Sequence, residues 1–168
     1  MIQWLVFPRS KRPSPAMRAG VEVFRKHEAA IDSVTMTESS NAVLAIVAAD
    51  LRASGFTVES GKQREDKIAV PVLFGLNGKV EKSFLADAFH LGEGVVLEVE
   101  AGRGVDNNQF LKDLFQACMM QDARHLVICV RNVYRKADDF KKVCTFFDTL
   151  YASHRIQLPL ESVMILGY

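Results

Sequence analysis

The stretch FLADAFHLGEGVVLEVEAG, residues 84 to 102, predicts two strands joined by a tight turn. Gly92 and Glu93 stand at the two central positions of that turn, and glycine in the first of them favours a type II′ hairpin. In this register Phe89 faces Val96 across the pair of strands. One face of the returning strand is entirely apolar, so we expect that face to pack against the core.

Three carboxylates share the other face of the predicted hairpin. Asp87 faces Glu98 directly, and Glu100 points to the same side because side chains alternate along a strand. Facing carboxylates repel each other and weaken a sheet, and Leu85 and Phe89 give this face an apolar character as well. A shared Mg²⁺ relieves the repulsion, since it prefers hard oxygen ligands. Two alternatives are that the acids line the solvent side of the hairpin, or that the register slips by one residue.

The composition is that of a single globular domain. The chain of 168 residues is 49% hydrophobic and 24% charged, as globular proteins typically are. It contains no apolar run of about 18 residues, the length needed to span a bilayer. The apolar N-terminal segment precedes the basic one, the wrong order for a signal peptide. Three cysteines without C-x-x-C spacing favour reduced thiols. We therefore expect one cytoplasmic domain over residues 1–168 with no membrane contact.

Charge is distributed unevenly, although the net charge is only +1. Residues 1–27 carry six Lys or Arg residues against Glu22 alone. Residues 81–122 sum to −5, and residues 124–142 sum to +4. An acidic middle between basic segments suits a metal centre flanked by phosphate-binding surfaces. Ordinary surface charge is the alternative explanation.

Hydrophobic periodicity and turn residues predict the order of the elements. The predicted helices cover residues 16–31, 39–53, 108–121 and 138–152. The predicted strands cover residues 2–7, 56–60, 69–76, 80–91, 95–101, 125–130 and 161–168. The strand at 125–130 is wholly apolar, so we expect it to be buried on both faces. This order predicts an α/β fold in which a mixed central sheet is flanked by helices.

Local signals mark the ends and faces of these elements. Thr35 and Glu38 have the spacing of a capping box ahead of the second helix. Pro71 indicates an edge strand, and Asn77-Gly78 is a strong hairpin signal. The dipeptide Asn107-Asn108 is expected to cap the third helix. The apolar stripe of that helix is predicted at Phe110, Leu111, Leu114, Phe115 and Cys118.

The acids and their setting resemble a known family. An Asp87-(x)10-Glu98-x-Glu100 pattern across a hairpin, preceded by a Glu-bearing helix and followed by a helix and an apolar strand, resembles the restriction-endonuclease-like PD-(D/E)XK superfamily. The likeness covers about residues 36–131, outside the basic N-terminal segment 1–27. It implies an αβββαβ core and hydrolysis of DNA phosphodiester bonds assisted by Mg²⁺ or Mn²⁺.

The resemblance also implies roles for individual residues. Asp87 and Glu98 would hold the metal, with the carbonyl of Val99 as a further ligand. Glu38 corresponds to a supporting acid on the preceding helix, although the capping box is an equally good explanation for it. Asn41 is an alternative for the same place.

Two residues depart from the pattern of the family. Ala86 stands where the family often has proline. Glu100 stands where it usually has a lysine that orients or activates the attacking water, and some restriction enzymes use glutamate there. Glu100 would then bind a second ion or accept a proton. The candidates to replace the lysine are Lys62, Arg64 and Lys79.

DNA contacts are expected from basic residues around the acidic middle, namely Arg9, Lys11, Arg12, Arg103 and Lys112. The leading hypothesis is a Mg²⁺-dependent endonuclease of a restriction or defence system, which acts as a homodimer or with a partner subunit. One alternative is a catalytically inactive relative that binds DNA or protein. The other is a metal-free interaction domain whose hairpin acids are solvated.

Overall fold

The computed structural model describes residues 1–61 and 63–168, and for Arg64 it describes the backbone alone. The strands are β1 Gln3–Phe7, β2 Thr57–Val58, β3 Ile68–Phe74, β4 Val80–Ala86, β5 Ala88–His90, β6 Val95–Val99, β7 His125–Val130, β8 Val133–Tyr134, β9 Ala137–Asp138 and β10 Ser162–Gly167. The helices are α1 Pro15–Lys26, α2 Glu28–Ile31, α3 Ser40–Ala53, α4 Gln109–Met119 and α5 Asp139–Ser153. Short 3-10 turns lie at Arg64–Asp66 and Leu76–Gly78.

A six-stranded mixed sheet forms the centre of the fold, in the order β1-β10-β7-β6-β5-β2. The three middle strands β6, β7 and β10 are parallel, and β1, β5 and β2 are antiparallel to their neighbours. Helices α4 and α5 make the crossovers that parallel strands require. The mixed sheet flanked by helices is therefore confirmed, and β1 and β10 extend it beyond residues 36–131.

The sheet has an apolar core on each face. Helices α1 and α3 pack on one face, and α4 and α5 pack on the other. The predicted burial of 125–130 on both faces is confirmed, since Val127 and Cys129 belong to the first core while Leu126 and Ile128 belong to the second. Each such side chain contributes about 1.5–3 kcal/mol by its burial.

The predicted register of the central hairpin is confirmed, but its turn differs. Phe89 pairs with Val96 and His90 with Val95. The left-handed residue is Gly94 (φ +63°), whereas a type II′ turn needs a positive φ at the first central position. The Gly94 N–H donates to the carbonyl of Leu91, so the loop has four residues instead of two.

The single strand predicted for residues 80–91 is wrong, because the chain divides at Asp87. Strand β4 pairs with β3 in a separate two-stranded sheet, whereas β5 joins the main sheet beside β2. At the break the carbonyl of Asp87 accepts the N–H of Glu59. Strand β3 contains Pro71, which cannot donate to a ladder, and it pairs with β4 alone, so the predicted edge strand is confirmed.

Both predicted N-caps are wrong in detail. Ser39 caps α3, and its Oγ accepts the N–H of Ala42, whereas Thr35 Oγ1 donates to the carbonyl of Asp32. Glu38 therefore precedes the helix. Asn108 stands at the N-cap of α4 in a left-handed conformation, and its side chain makes no capping hydrogen bond. The region predicted as one helix at 16–31 is divided at His27 into α1 and α2.

The buried stripe of α4 contains an acid that the apolar pattern excludes. Phe110, Asp113, Leu114 and Ala117 are buried, and Phe115 is 59% exposed. Asp113 therefore belongs to the buried face of α4, which the predicted stripe did not include, and Phe115, which the predicted stripe did include, does not. In the described residues, no helix is long and apolar enough to cross a membrane.

Candidate functional site

Four carboxyl groups meet where β6 leaves the sheet. Glu98 is the penultimate residue of β6, and Glu100 follows the end of that strand. Asp87 lies at the break before β5, and Asp113 lies in α4. A cleft of about 470 Å³ opens beside them. Its charged and amide lining residues are Glu59, Lys67, Lys82, Asp87, Glu98, Lys112, Asp113 and Gln116.

Asp87 is held by the neighbouring strand. Its Oδ2 accepts the N–H of Val99 at 2.8 Å, which fixes the carboxylate against β6. Burial raises the pKa of Asp87 to about 6, against the opposing effect of this hydrogen bond. The charges of Glu59 and Asp113 raise the pKa further, and Lys67 lowers it. Val99, the expected carbonyl ligand, is itself buried.

Glu98 is a buried acid of the cluster, with 9% of the residue exposed. Its pKa lies well above the usual range, first because of burial and then because of the charges of Asp87 and Asp113. A hydrogen bond from the Asp87 backbone opposes this shift. Solvated hairpin acids, one of the alternatives drawn from the sequence, do not describe this residue.

Glu100 and Asp113 form a carboxyl pair. Burial, followed by the hydrogen bond and the charge of Asp113, raises the pKa of Glu100 to about 8. Burial also raises the pKa of Asp113, and its buried Oδ2 has no hydrogen-bond partner among the described residues. Two interacting acids favour a shared proton, because a protonated Glu100 supplies the hydrogen-bond donor that two ionised carboxylates lack.

The donor set fits a hard divalent cation by its chemistry, since it consists of carboxylate oxygens in a cleft from which water is partly excluded. The orphaned Oδ2 of Asp113 is an oxygen that a cation would satisfy. However, no group of three or more His, Cys, Asp or Glu side chains in the described ranges is already arranged around one ion position. Some side-chain rotation would therefore accompany binding of a metal.

Three lysines, Lys67, Lys82 and Lys112, line the same cleft as the acids. Lys67 Nζ lies 2.5 Å from Glu59 Oε1, and both side chains are largely buried. Lys112, from the exposed side of α4, lowers the pKa of both Glu100 and Asp113 by its charge. Lys82 lines the cleft from β4. These three side chains give the cleft positive charge beside its carboxyl cluster.

Several other residues predicted for the site do not line this cleft. Glu38 is in the loop before α3, where its carbonyl accepts a hydrogen bond from Arg131, and it is not among the residues that line the cleft. Asn41 and Arg103 are exposed. Lys79 is exposed at the end of the β3–β4 turn, outside the cleft. Lys62 and the side chain of Arg64 fall outside the described residues.

The N-terminal basic residues lie at the opposite end of the parallel strands from the acids. Phe7 pairs with Val163, near the N-terminal ends of the parallel strands, whereas Glu98 is near the C-terminal end of β6. Arg9 is bound to Asp148, with Nη2 to Oδ2 at 2.7 Å, and Lys11 and Arg12 are exposed. This segment therefore does not flank the acidic cleft, contrary to the arrangement suggested by the charge pattern. A role for these residues in binding DNA stays a prediction.

Four charged residues of the cleft were missed by sequence reasoning: Glu59, Lys67, Lys82 and Asp113. For Asp113 a signal exists, because it shares helical spacing with Phe110, Leu114 and Ala117 and so is a charge within an apolar stripe. Glu59 and Lys67 have no comparable signal, since each lies in an irregular segment between short elements.

The chain matches no protein-family model and no curated protein. The functional interpretation therefore rests on the geometry and chemistry of the carboxyl cluster.

Proposed function

We propose that this protein is a Mg²⁺-dependent endonuclease that hydrolyses DNA phosphodiester bonds. The observation that carries the proposal is a cluster of two buried acids, Glu98 and Asp113, and two half-buried acids, Asp87 and Glu100, beside an open cleft. Like charges in a low-dielectric site destabilise a fold unless protons or a cation neutralise them. Such an arrangement is typical of a site that is used for chemistry.

The order of the elements supports the same proposal. With the separate β3–β4 sheet counted as an insertion between β2 and β5, the elements α3, β2, β5, β6, α4 and β7 give helix, three strands, helix and strand. Strands β5 and β6 are antiparallel, and β6 and β7 are parallel. The resemblance to the PD-(D/E)XK superfamily implies this order. Asp87 precedes β5 and Glu98 lies in β6, and the resemblance implies that these two acids hold the metal.

In the proposed hydrolysis the residues of the cleft have different roles. A divalent ion held by Asp87, Glu98 and the carbonyl of Val99 would supply charge neutralisation at the phosphate and a bound water of lowered pKa. Glu100, with a pKa of about 8, exchanges a proton near neutral pH and so suits a general acid or base. Lys67 and Lys112 bring positive charge to the phosphate.

Cleavage of supercoiled plasmid in Mg²⁺ and in Mn²⁺ tests the proposal. We expect nicked and linear products from the unmodified protein and their loss in Asp87→Asn. Asp106→Asn is the matched control, because Asp106 is an exposed acid paired with Lys142, outside the cleft. If neither metal supports cleavage by the unmodified, folded protein on any DNA form, the enzymatic proposal is wrong.

A second function is favoured by Glu100, which stands in place of the usual lysine, and by the carboxyl groups that do not yet converge on one ion position. An inactive relative of the same fold would bind DNA or a protein partner through this surface. It would bind DNA without cutting it, and Asp87→Asn would leave that binding unchanged. A homodimer or a partner subunit is compatible with either function.

A further inference from the structure

A second cleft, of about 450 Å³, opens beside the loop that follows Glu100. It is lined by Thr37, Ser39, Ser40, Ala101, Gly102, Arg131 and Tyr134. Ala101 comes three residues after Glu98, at most about 11 Å along an extended chain. The acidic cleft and this one are therefore neighbours at the C-terminal edge of the parallel strands. We refer to the second one as the hydroxyl cleft, after Thr37, Ser39 and Ser40.

Arg131 is a buried cation without an acidic partner. Only 8% of the residue is exposed, and no ion pair to it occurs among the described residues. Its Nη2 donates to the carbonyl of Glu38. A guanidinium has five N–H donors, so donors remain for a ligand in the cleft. Buried arginine is rare without a counter-ion, and this one lines an open cavity.

The remaining walls of the hydroxyl cleft suit an anion. Its described lining contains four side-chain hydroxyls, three of them from Thr37, Ser39 and Ser40, and no carboxylate. Ser39 is the N-cap of the 14-residue helix α3, and the first N–H groups of a helix have no carbonyl partner within it. The positive end of the helix dipole and the Arg131 guanidinium therefore act at the same place.

An aromatic ring of the cleft lining lies against two arginines. Arg131 and Arg135 lie over the Tyr134 ring, with their Cζ atoms 5.4 and 5.3 Å from its centroid. Arg135 and Lys136 form the exposed turn between β8 and β9. A half-buried aromatic ring among cations is the combination that binds a single nucleic-acid strand through base stacking and phosphate contacts.

We propose that the hydroxyl cleft binds a phosphate of a nucleic-acid strand, through Arg131 and the start of α3, with a neighbouring base against Tyr134. The strand would continue from there into the acidic cleft. This inference rests on the proposed nuclease function for the identity of the ligand, but its test measures binding in EDTA and so is independent of cleavage.

Ser39 gives a matched pair of variants for the test. Asp, Asn and Ser all cap helices well, so Ser39→Asp and Ser39→Asn should both fold. Ser39→Asp places a negative charge opposite Arg131, whereas Ser39→Asn does not. The probe is a fluorescent single-stranded DNA of about ten nucleotides, comparable to the site of one binding module, titrated in EDTA with anisotropy as readout. Inorganic phosphate serves as competitor.

We expect Ser39→Asp to weaken binding about tenfold or more and to reduce its salt dependence by about one phosphate contact. Ser39→Asn, which brings no charge, should weaken binding much less than Ser39→Asp does. Tyr134→Leu should weaken binding about fivefold or more, and Tyr134→Phe should not, because the ring face is retained. Equal affinity of all four variants, or no binding by the unmodified protein, overturns the inference. If the protein binds inorganic phosphate but does not bind the DNA strand, the assignment of the ligand to a nucleic-acid strand is overturned.

Discussion

At the scale of single residues, the site is decided by acids whose protonation depends on burial. Asp87 and Glu98 are recognisable in the sequence, but their pKa values are raised because the sheet and α4 exclude water from them. Asp113 contributes charge and an unsatisfied oxygen to the same place. The cluster thus stores unfavourable electrostatic free energy that a substitution can release.

Asp113→Asn should stabilise the protein at pH 8. The amide removes one like charge and offers a donor to Glu100, so we expect a gain of about 1 kcal/mol in the free energy of unfolding, measured by urea denaturation. Asp106→Asn removes only an exposed ion pair with Lys142 and should change stability by less than about 1 kcal/mol. A clear loss of stability in Asp113→Asn would mean that the carboxylate is needed for the fold.

Glu100→Gln should slow cleavage by about 10²–10⁴-fold and leave DNA binding nearly intact, since the amide keeps the shape but cannot exchange a proton. Glu100→Lys, which restores the usual residue of the family, should be tolerated or activating. Glu81→Gln, on the exposed side of β4, is the control. A Glu100→Gln protein that cuts DNA at the original rate would remove Glu100 from the mechanism.

At the scale of elements, the β5–β6 turn holds the acids in register. Gly94 has a φ of +63°, and a Cβ added there would lie 2.3 Å from the carbonyl oxygen of Asp122, a backbone atom. Gly78 in the β3–β4 turn also has a positive φ (+75°), but no atom within 4 Å of an added Cβ. Comparing alanine variants of the two glycines therefore distinguishes the cost of a left-handed backbone from the cost of a steric clash.

Gly94→Ala should lower the free energy of unfolding well beyond the effect of Gly78→Ala. Gly78→Ala adds only the left-handed backbone strain of about 1–2 kcal/mol. Gly94→Ala adds the same strain and a contact with backbone that cannot rotate away, so a total above about 3 kcal/mol is expected. Chemical denaturation of both variants measures the difference, and equal losses would show that the Asp122 loop moves freely.

At the scale of the whole molecule, stability should fall as pH rises from about 6.5 to 8.5. Carboxyl groups of the unfolded chain ionise near pH 4, whereas folded Glu100 keeps its proton to a pKa of about 8 and Glu98 is also raised. The folded state then binds more protons than the unfolded state, so raising the pH favours unfolding. His125, whose pKa is lowered by burial, acts in the opposite direction only below this range. Thermal melts across the range should show a decline that Glu100→Gln flattens, and a constant melting temperature would contradict the raised pKa of Glu100.

The two basic ends of the molecule should also behave differently. Arg135 and Lys136 follow β7 at the edge that carries the acids, whereas Arg9, Lys11 and Arg12 lie at the opposite edge. Charge reversal of Arg135 and Lys136 to Glu should therefore weaken DNA binding more than reversal of the other three. Each lost phosphate contact should lower the slope of log affinity against log salt by about one. A larger effect from the N-terminal variant would place the DNA on the far edge.

Much of the fold could be predicted from local signals. The apolar run at 125–130 can be stable only inside a sheet, and the spacing around Gly92 sets the pairing of Phe89 with Val96. The limits of α3 followed from its periodicity and from Gly55 beyond its end. Some errors fell at element ends, where one hydrogen bond decides: Ser39, and not Thr35, caps α3. Others fell inside predicted elements, since the strand at 80–91 divides at Asp87 and the helix at 16–31 divides at His27.

The sequence by itself determined the alternation that puts Glu98 and Glu100 on one side of β6, because that depends only on backbone geometry. Tertiary structure alone decided that Asp113 and Lys67 join them and that the N-terminal basic segment does not. These placements depend on how α4 docks on the sheet and on which neighbour β1 pairs with. Both result from burying apolar surface across the whole molecule, which no local stretch encodes.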